Sequence, residues 1–266
     1  MNSPLLPTMI GVSLKMYFDH VRTVEWCREI ARIATEHEAV TSGATEIVVL
    51  PTFPSLPEVV EIFAGTPVGV GAQDLYWEDS GAYTGAVSGV TLKQVGCEFV
   101  EIGHAERKRL FDEDGAAIAR KVAAAFRNEL IPIICVGERV ECETPRAAEE
   151  CVATLESTLA SADSSSSSRR VVVAYEPEWA IGAEESASSD HIRGVAMQMR
   201  EWLVSHGWER SSHVIYGGSA GPGLLNSLRG DIDGLFLGRF AHDPKELRRV
   251  LDETTEVART LAFGVD

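Results

Sequence analysis

The chain has no C-x-x-C pair and no run approaching the ~20 apolar residues of a membrane span. Nor does Met1-Asn2-Ser3-Pro4 open a basic-then-apolar leader. No membrane role is expected, and a cytoplasmic location is. The five cysteines, Cys27, Cys97, Cys135, Cys142 and Cys151, are an odd set that reads as reduced thiols rather than disulfides or zinc ligands. Basic residues are few: 24 Lys and Arg against 40 Asp and Glu, a net charge of −16. That balance argues against nucleic acid or an anionic membrane as partner. It leaves an anionic small molecule open, because a few local donors can outweigh a distant global charge. The first apolar run carries no G-x-G-x-x-G, since Gly11-Val12-Ser13-Leu14-Lys15 is not one. With no metal-ligand cluster either, no metal and no organic cofactor are expected.

What is present is a rhythm. Short, mostly continuous apolar runs occupy Met9–Met16, Glu46–Pro51, Val68–Asp74, Phe99–His104, Ile131–Glu138, Val171–Pro177, His213–Ser219 and Gly234–Arg239. Runs such as Val171-Val172-Val173-Ala174 suit strands buried on both faces of a parallel sheet. Helical spacing fills His20–His37, Gly115–Leu130, Pro145–Leu159, His191–Leu203 and Pro244–Leu261. The strand starts are spaced by ~32 residues, and eight βα units of that size make the ~250 residues of a (β/α)₈ barrel. An open doubly wound sheet is the alternative. At 266 residues the whole chain, 1–266, reads as one α/β domain that can bury roughly 70–75% of its unfolded surface. The serine-rich stretch Ser161–Ser168 reads as a surface loop, because the strand-helix rhythm continues across it.

In such a barrel the site lies at the C-terminal ends of the strands. Those ends carry Lys15, then Gly103-His104-Ala105-Glu106-Arg107, Tyr175-Glu176-Pro177, Gly217-Gly218-Ser219 and Gly238-Arg239. A base, an electrophile, cations and anion-binding turns fall on one rim.

These residues resemble the triosephosphate isomerase family over nearly the whole chain. The matching pieces are V-E-I-G-H-A-E-R at 100–107, I-C-V-G-E at 134–138, A-Y-E-P-E-W-A-I-G at 174–182, Y-G-G-S at 216–219 and D-G-L-F-L-G at 233–238. The resemblance implies a TIM barrel and a cofactor-independent sugar-phosphate isomerase working through an enediolate. Glu176 matches the family's base, which takes a C–H proton and returns it one carbon along. His104 matches the electrophile, a neutral imidazole at a helix start that polarises the carbonyl in triosephosphate isomerase itself. Lys15 matches the cation beside the substrate, and Glu106 the acidic residue paired with it. Cys135 matches a cysteine behind the base. Gly182, Gly218, Ser219 and Gly238 match backbone phosphate donors. Trp179 lies in the hinged lid, and Tyr216 resembles its latch. Thr84, in Gly81-Ala82-Tyr83-Thr84-Gly85, resembles the tip of a loop that enters a neighbouring subunit, so a homodimer is implied. On the residues alone, plainer readings stand beside these: a snorkelling lysine, a first-turn carboxylate, a core thiol, ordinary turn glycines and an exposed hairpin.

Several positions depart from the family pattern. Ser13 stands where the family has Asn, and Arg239 where it has a second glycine. The lid reads Gly182-Ala183-Glu184-Glu185 instead of Gly-Thr-Gly-Lys. Glu178 replaces a small or apolar hinge residue, and Ala86 a glutamate. The proton-transfer residues are kept while the substrate surroundings change. The pattern resembles the branch that converts L-erythrulose 1-phosphate to D-erythrulose 4-phosphate in erythritol-type catabolism, with Ser13 and Arg239 among the substrate contacts. Ordinary triose phosphate isomerisation in glycolysis is the alternative, and a non-catalytic phosphate-binding barrel a remote one.

Overall fold

In the computed structural model the strands stop two or three residues short of the apolar runs that announce most of them. They are β1 (Thr8–Ser13), β2 (Thr45–Leu50), β3 (Val68–Ala72), β4 (Phe99–Ile102), β5 (Ile131–Val136), β6 (Val172–Tyr175), β7 (His213–Tyr216) and β8 (Gly234–Leu237). The residues dropped from the C-terminal ends, such as Lys15, His104, Glu176 and Arg239, leave the ladder to form the rim. Lys15 and Ser219 could not continue a strand, since their φ angles are +48° and +45°. The structure describes residues 6–160, 170–208, 211–228 and 230–263, so the serine-rich stretch Ser161–Ser168 lies outside the described residues.

All neighbouring strands are parallel, and β1 pairs with both β2 and β8 to close the barrel. This is the (β/α)₈ TIM barrel, and the open doubly wound sheet is excluded. The helices are α1 (His20–Glu36), α2 (Glu38–Thr41), α3 (Leu56–Phe63), α4 (Gly89–Val95), α5 (Ala105–Phe111), α6 (Gly115–Arg127), α7 (Thr144–Leu159), α8 (Ser189–Ser205), α9 (Leu224–Leu228) and α10 (Pro244–Phe263). The long ones fall where helical spacing predicts them. The short α2, α3, α4, α5 and α9 are too brief to show a period. Local chemistry marks several starts: Asp19, Ser88, Asp114 and Ser188 each accept a backbone N–H of the first turn. Among the described residues no helix is long and apolar enough to cross a membrane.

Strand parity separates two cores. Met9, Val48, Leu50, Phe99, Ile133, Cys135, Val172, Ala174, Ile215 and Phe236 fill the lumen. Their alternate neighbours, such as Ile10, Val12, Ile134, Val173 and Tyr216, pack outward with Ile30, Val122, Leu155, Val195 and Leu251 of the helices. Burial on both faces is why the strands read as continuous apolar runs. The lumen is a packed plug: a Cβ on Gly11 would lie 2.5 Å from the Phe236 ring, so a missing side chain on β1 accommodates a large one on β8. The same parity carries Ser13, Glu101 and Glu176 to the top of the plug.

Candidate active site

A cavity of about 680 Å³ opens above the plug, at the C-terminal ends of the strands. Ser13, Lys15, His104, Glu106, Glu176, Gly182, Ser219, Gly238 and Arg239 line it together. Glu176 follows β6 directly and is 5% exposed. Its Oε2 has no hydrogen-bond partner, an arrangement that suits a group awaiting a proton from elsewhere. His104 Nε2 lies 3.6 Å from that oxygen. The other ring nitrogen, Nδ1, accepts the backbone N–H of Glu106 at 3.1 Å. An acceptor Nδ1 cannot carry a proton, so the ring is neutral with its hydrogen on Nε2, facing Glu176. The sequence does not disclose this tautomer; the first turn of α5 sets it.

Lys15 Nζ donates to Glu106 Oε1 at 3.0 Å. Burial pulls the ammonium down, but Glu106, helped by Glu176 and Glu101, outweighs it and leaves its pKa above the ordinary lysine value. Desolvation raises the Glu106 carboxyl, and Lys15 overcomes it, leaving the acid below its usual range. The pair is a fixed cation and its counterion. The left-handed backbone at Lys15 is supported by Gln73, whose Nε2 donates to Lys15 O at 3.0 Å and to Leu50 O at 2.9 Å.

Cys135 is buried in the lumen. Burial, reinforced by Glu176, pushes its thiol well above the usual value, so it stays protonated behind the acid. Gly217, just past the end of β7, presses on the acid. A Cβ there would sit 2.6 Å from Glu176 Oε1, so the glycine is a seat for the carboxyl. Gly218, by contrast, does not line the cavity. It is packed against Tyr216 and Pro177, where a Cβ would lie 2.7 Å from the Tyr216 hydroxyl oxygen and 3.2 Å from Pro177. Parity explains the difference, because consecutive residues face opposite sides of a strand end.

The segment 178–187 is tied down at several points. Trp179 Nε1 donates to Glu138 Oε1 at 2.7 Å, and Glu138 also receives the Tyr175 hydroxyl and faces His191. The Ser219 hydroxyl reaches Ala180 O at 2.8 Å and Ala183 O at 2.9 Å. The Ala187 N–H donates to the Tyr216 hydroxyl oxygen at 2.9 Å. With its hydroxyl turned to this segment, Ser219 has its backbone N–H to offer an anion. Arg239 is exposed on the cavity wall and makes no ion pair among the described residues. Its Nη2 lies 4.0 Å from the point a Cβ on Gly182 would occupy. Thr84 is exposed on the loop after β3 and is not brought to this cavity.

The triosephosphate isomerase family profile matches residues 8–254. The chain belongs to the triosephosphate isomerase family. It is 48% identical to an L-erythrulose-1-phosphate isomerase of Pectobacterium atrosepticum over 92% of this chain and 94% of that one. It is 38% identical to a triosephosphate isomerase of Moorella thermoacetica over 83% and 90% of the two chains. An L-erythrulose-1-phosphate isomerase of Rhizobium etli is 35% identical over 87% and 86%. Family membership makes the chain a sugar-phosphate isomerase.

Sequence reasoning missed several residues of this triosephosphate isomerase-family site. Gly217 was hidden beside Gly218, and strand parity is the signal that separates them. Arg109 also lines the cavity, one helical turn beyond His104. Glu101 is the largest omission. It is 3% exposed at the top of the plug and accepts the Ser13 hydroxyl at 2.9 Å. A charged residue inside an otherwise apolar strand, Phe99-Val100-Glu101-Ile102, is the signal that could have found it.

Proposed function

We propose that this protein isomerises a four-carbon ketose phosphate, converting L-erythrulose 1-phosphate to D-erythrulose 4-phosphate. The observation that carries the reading is the 48% identity, over nearly the full length of both chains, to a protein named for that substrate. The replacement of the family's Asn by Ser13 on the cavity wall supports it.

The site residues take roles that their geometry can support. Glu176 removes the proton from C3 with its unpartnered Oε2. The electron pair of the broken C–H bond forms the C2–C3 double bond, and charge moves onto the former carbonyl oxygen. The Nε2–H of His104 donates to that oxygen, and Lys15 offsets its charge. The hydroxyl proton on O3 passes to the O2 side by way of the imidazole. Glu176 then returns its proton to C2, leaving the carbonyl at C3. The phosphate takes backbone N–H groups from Gly182, Ser219 and Gly238, with Arg239 beside them as a charge-assisted donor. The tied segment 178–187, with Trp179 and Tyr216, acts as the lid that keeps water from the enediolate. Gly218 packs against the Tyr216 latch, and Cys135 stands behind the acid.

A homodimer belongs to the same reading, with Thr84 reaching a second copy. The exposed side chains of Met16, Tyr17 and Tyr83, near the rim and on the loop after β3, suit such a contact. The deciding experiment offers purified protein both substrates. Turnover of the tetrulose phosphate with a higher kcat/KM than glyceraldehyde 3-phosphate is the expected result. Turnover of the triose phosphate alone would replace the four-carbon reading with the triose one.

A further inference from the structure

The mechanism makes no use of Glu101, a buried acid beside the site. Glu101 projects from β4 to the top of a lumen otherwise filled by Met9, Val48, Leu50, Phe99, Ile133 and Phe236. A carboxylate placed on such a plug is costly unless it is engaged. Its Oε2 accepts the hydroxyl of Ser13, which crosses from β1 at 2.9 Å. Ser13 itself lines the cavity with Glu176 and His104 and gives it a polar floor, its hydroxyl held by Glu101. With the phosphate over the β7 and β8 ends and the reacting carbons between Glu176 and His104, the far end of the substrate points at this floor.

A serine hydroxyl has one proton and two lone pairs. We propose that Glu101 is a positioning residue for substrate choice: by accepting the Ser13 hydroxyl as a hydrogen bond it leaves the Ser13 oxygen to act as an acceptor for the terminal hydroxyl of the four-carbon ketose phosphate. A triose phosphate has no hydroxymethyl group beyond its reacting carbons to place there. Burial holds the Glu101 carboxyl up at about 7, with Glu176 adding to it and the Ser13 hydroxyl and Lys15 opposing. The acceptor arrangement is therefore complete on the alkaline side of neutrality. This inference rests on the four-carbon reading above.

The test is steady-state kinetics of the full chain at pH 8 with tetrulose phosphate and triose phosphate, and with inorganic phosphate as competitive inhibitor. Ser13→Ala and Glu101→Leu should lower kcat/KM for the tetrulose phosphate by roughly 10- to 100-fold, the size of a lost hydrogen bond to a buried polar group. Inhibition by phosphate should shift less than about threefold. Glu101→Gln, whose amide oxygen still accepts from Ser13, should recover most of the loss. An unchanged preference between the two substrates in Ser13→Ala overturns the inference while leaving the four-carbon reading intact. An equal fall in Glu101→Leu and Glu101→Gln also overturns it, since an acceptor would then not suffice. If the wild-type protein does not turn over the tetrulose phosphate, the substrate reading falls and this inference with it.

Discussion

The Nε2 atom of His104 and the Oε2 atom of Glu176 face each other at 3.6 Å, each on a side chain about 5% exposed. The gap is longer than a direct hydrogen bond. It leaves the acid's oxygen unpartnered and the imidazole proton available, with both directed at one point in the cavity. A carboxylate and an imidazole held in this way have the geometry that the proposed base and electrophile require.

Replacing Glu176 by Gln removes the proton acceptor and keeps the shape. Turnover should fall by about 10²- to 10⁴-fold, the usual scale of general-base catalysis, while inorganic phosphate still binds. Single-turnover rates and phosphate inhibition measured on the same preparation check both halves. Near-normal turnover would remove Glu176 as the base.

Gly217→Ala should damage the reaction without damaging the barrel. The added methyl would meet Glu176 Oε1 at 2.6 Å and Cγ at 2.8 Å, so the carboxyl must move. Displacement of a catalytic group by about 1 Å costs on the order of 10²-fold in rate. The expected pattern is a fall mainly in kcat with the thermal midpoint little changed. Full activity would show that the carboxyl has room the structure does not indicate.

Arg239→Ala should weaken the phosphate end. The guanidinium is exposed beside Gly182 and Gly238, so its loss is expected to raise KM by roughly tenfold and leave the chemical step largely intact. Arg239→Lys should recover part of that, because the charge remains while the planar fork is lost. A fall in kcat alone would place Arg239 elsewhere in the reaction.

Glu101 predicts a specific pH dependence of stability. Its carboxyl is raised from 4.5 to about 7 in the folded protein. The folded state therefore holds the proton more tightly than the unfolded state. The associated stability is complete below about 4.5 and is lost as pH rises through about 7. At 1.36 kcal/mol per pKa unit the loss is on the order of 3 kcal/mol. Glu101→Gln does not titrate, so its stability relative to wild type should improve between pH 5 and pH 8. Urea midpoints at both values measure this, and parallel pH profiles for the two proteins would refute it.

Strand order, the outer helices and the rim residues were legible because each leaves a local trace. Parallel strands buried on both faces require unbroken apolar runs, as in Val171-Val172-Val173-Ala174, and the ~32-residue step counts the βα units. The acid at Glu176, the histidine at His104 and the lysine at Lys15 fell at the ends of those runs. The short helices left too little sequence for a period. The strand ends were overread because the stop is set by the backbone leaving the ladder, with a left-handed φ at Lys15 and Ser219, and the run of residue types does not mark that turn.

The sequence by itself pointed to the barrel through its ~32-residue step, to the family through motif order, and to the residue types that gather at the rim. Only the tertiary structure decided which glycine seats Glu176, which nitrogen of His104 carries the proton, and that Glu101 on β4 takes the Ser13 hydroxyl from β1. Each of these depends on which face a residue presents and on partners far apart in the chain; Ser13 and Glu101 are separated by 88 positions. Barrel closure, not local sequence, brings them to hydrogen-bonding distance.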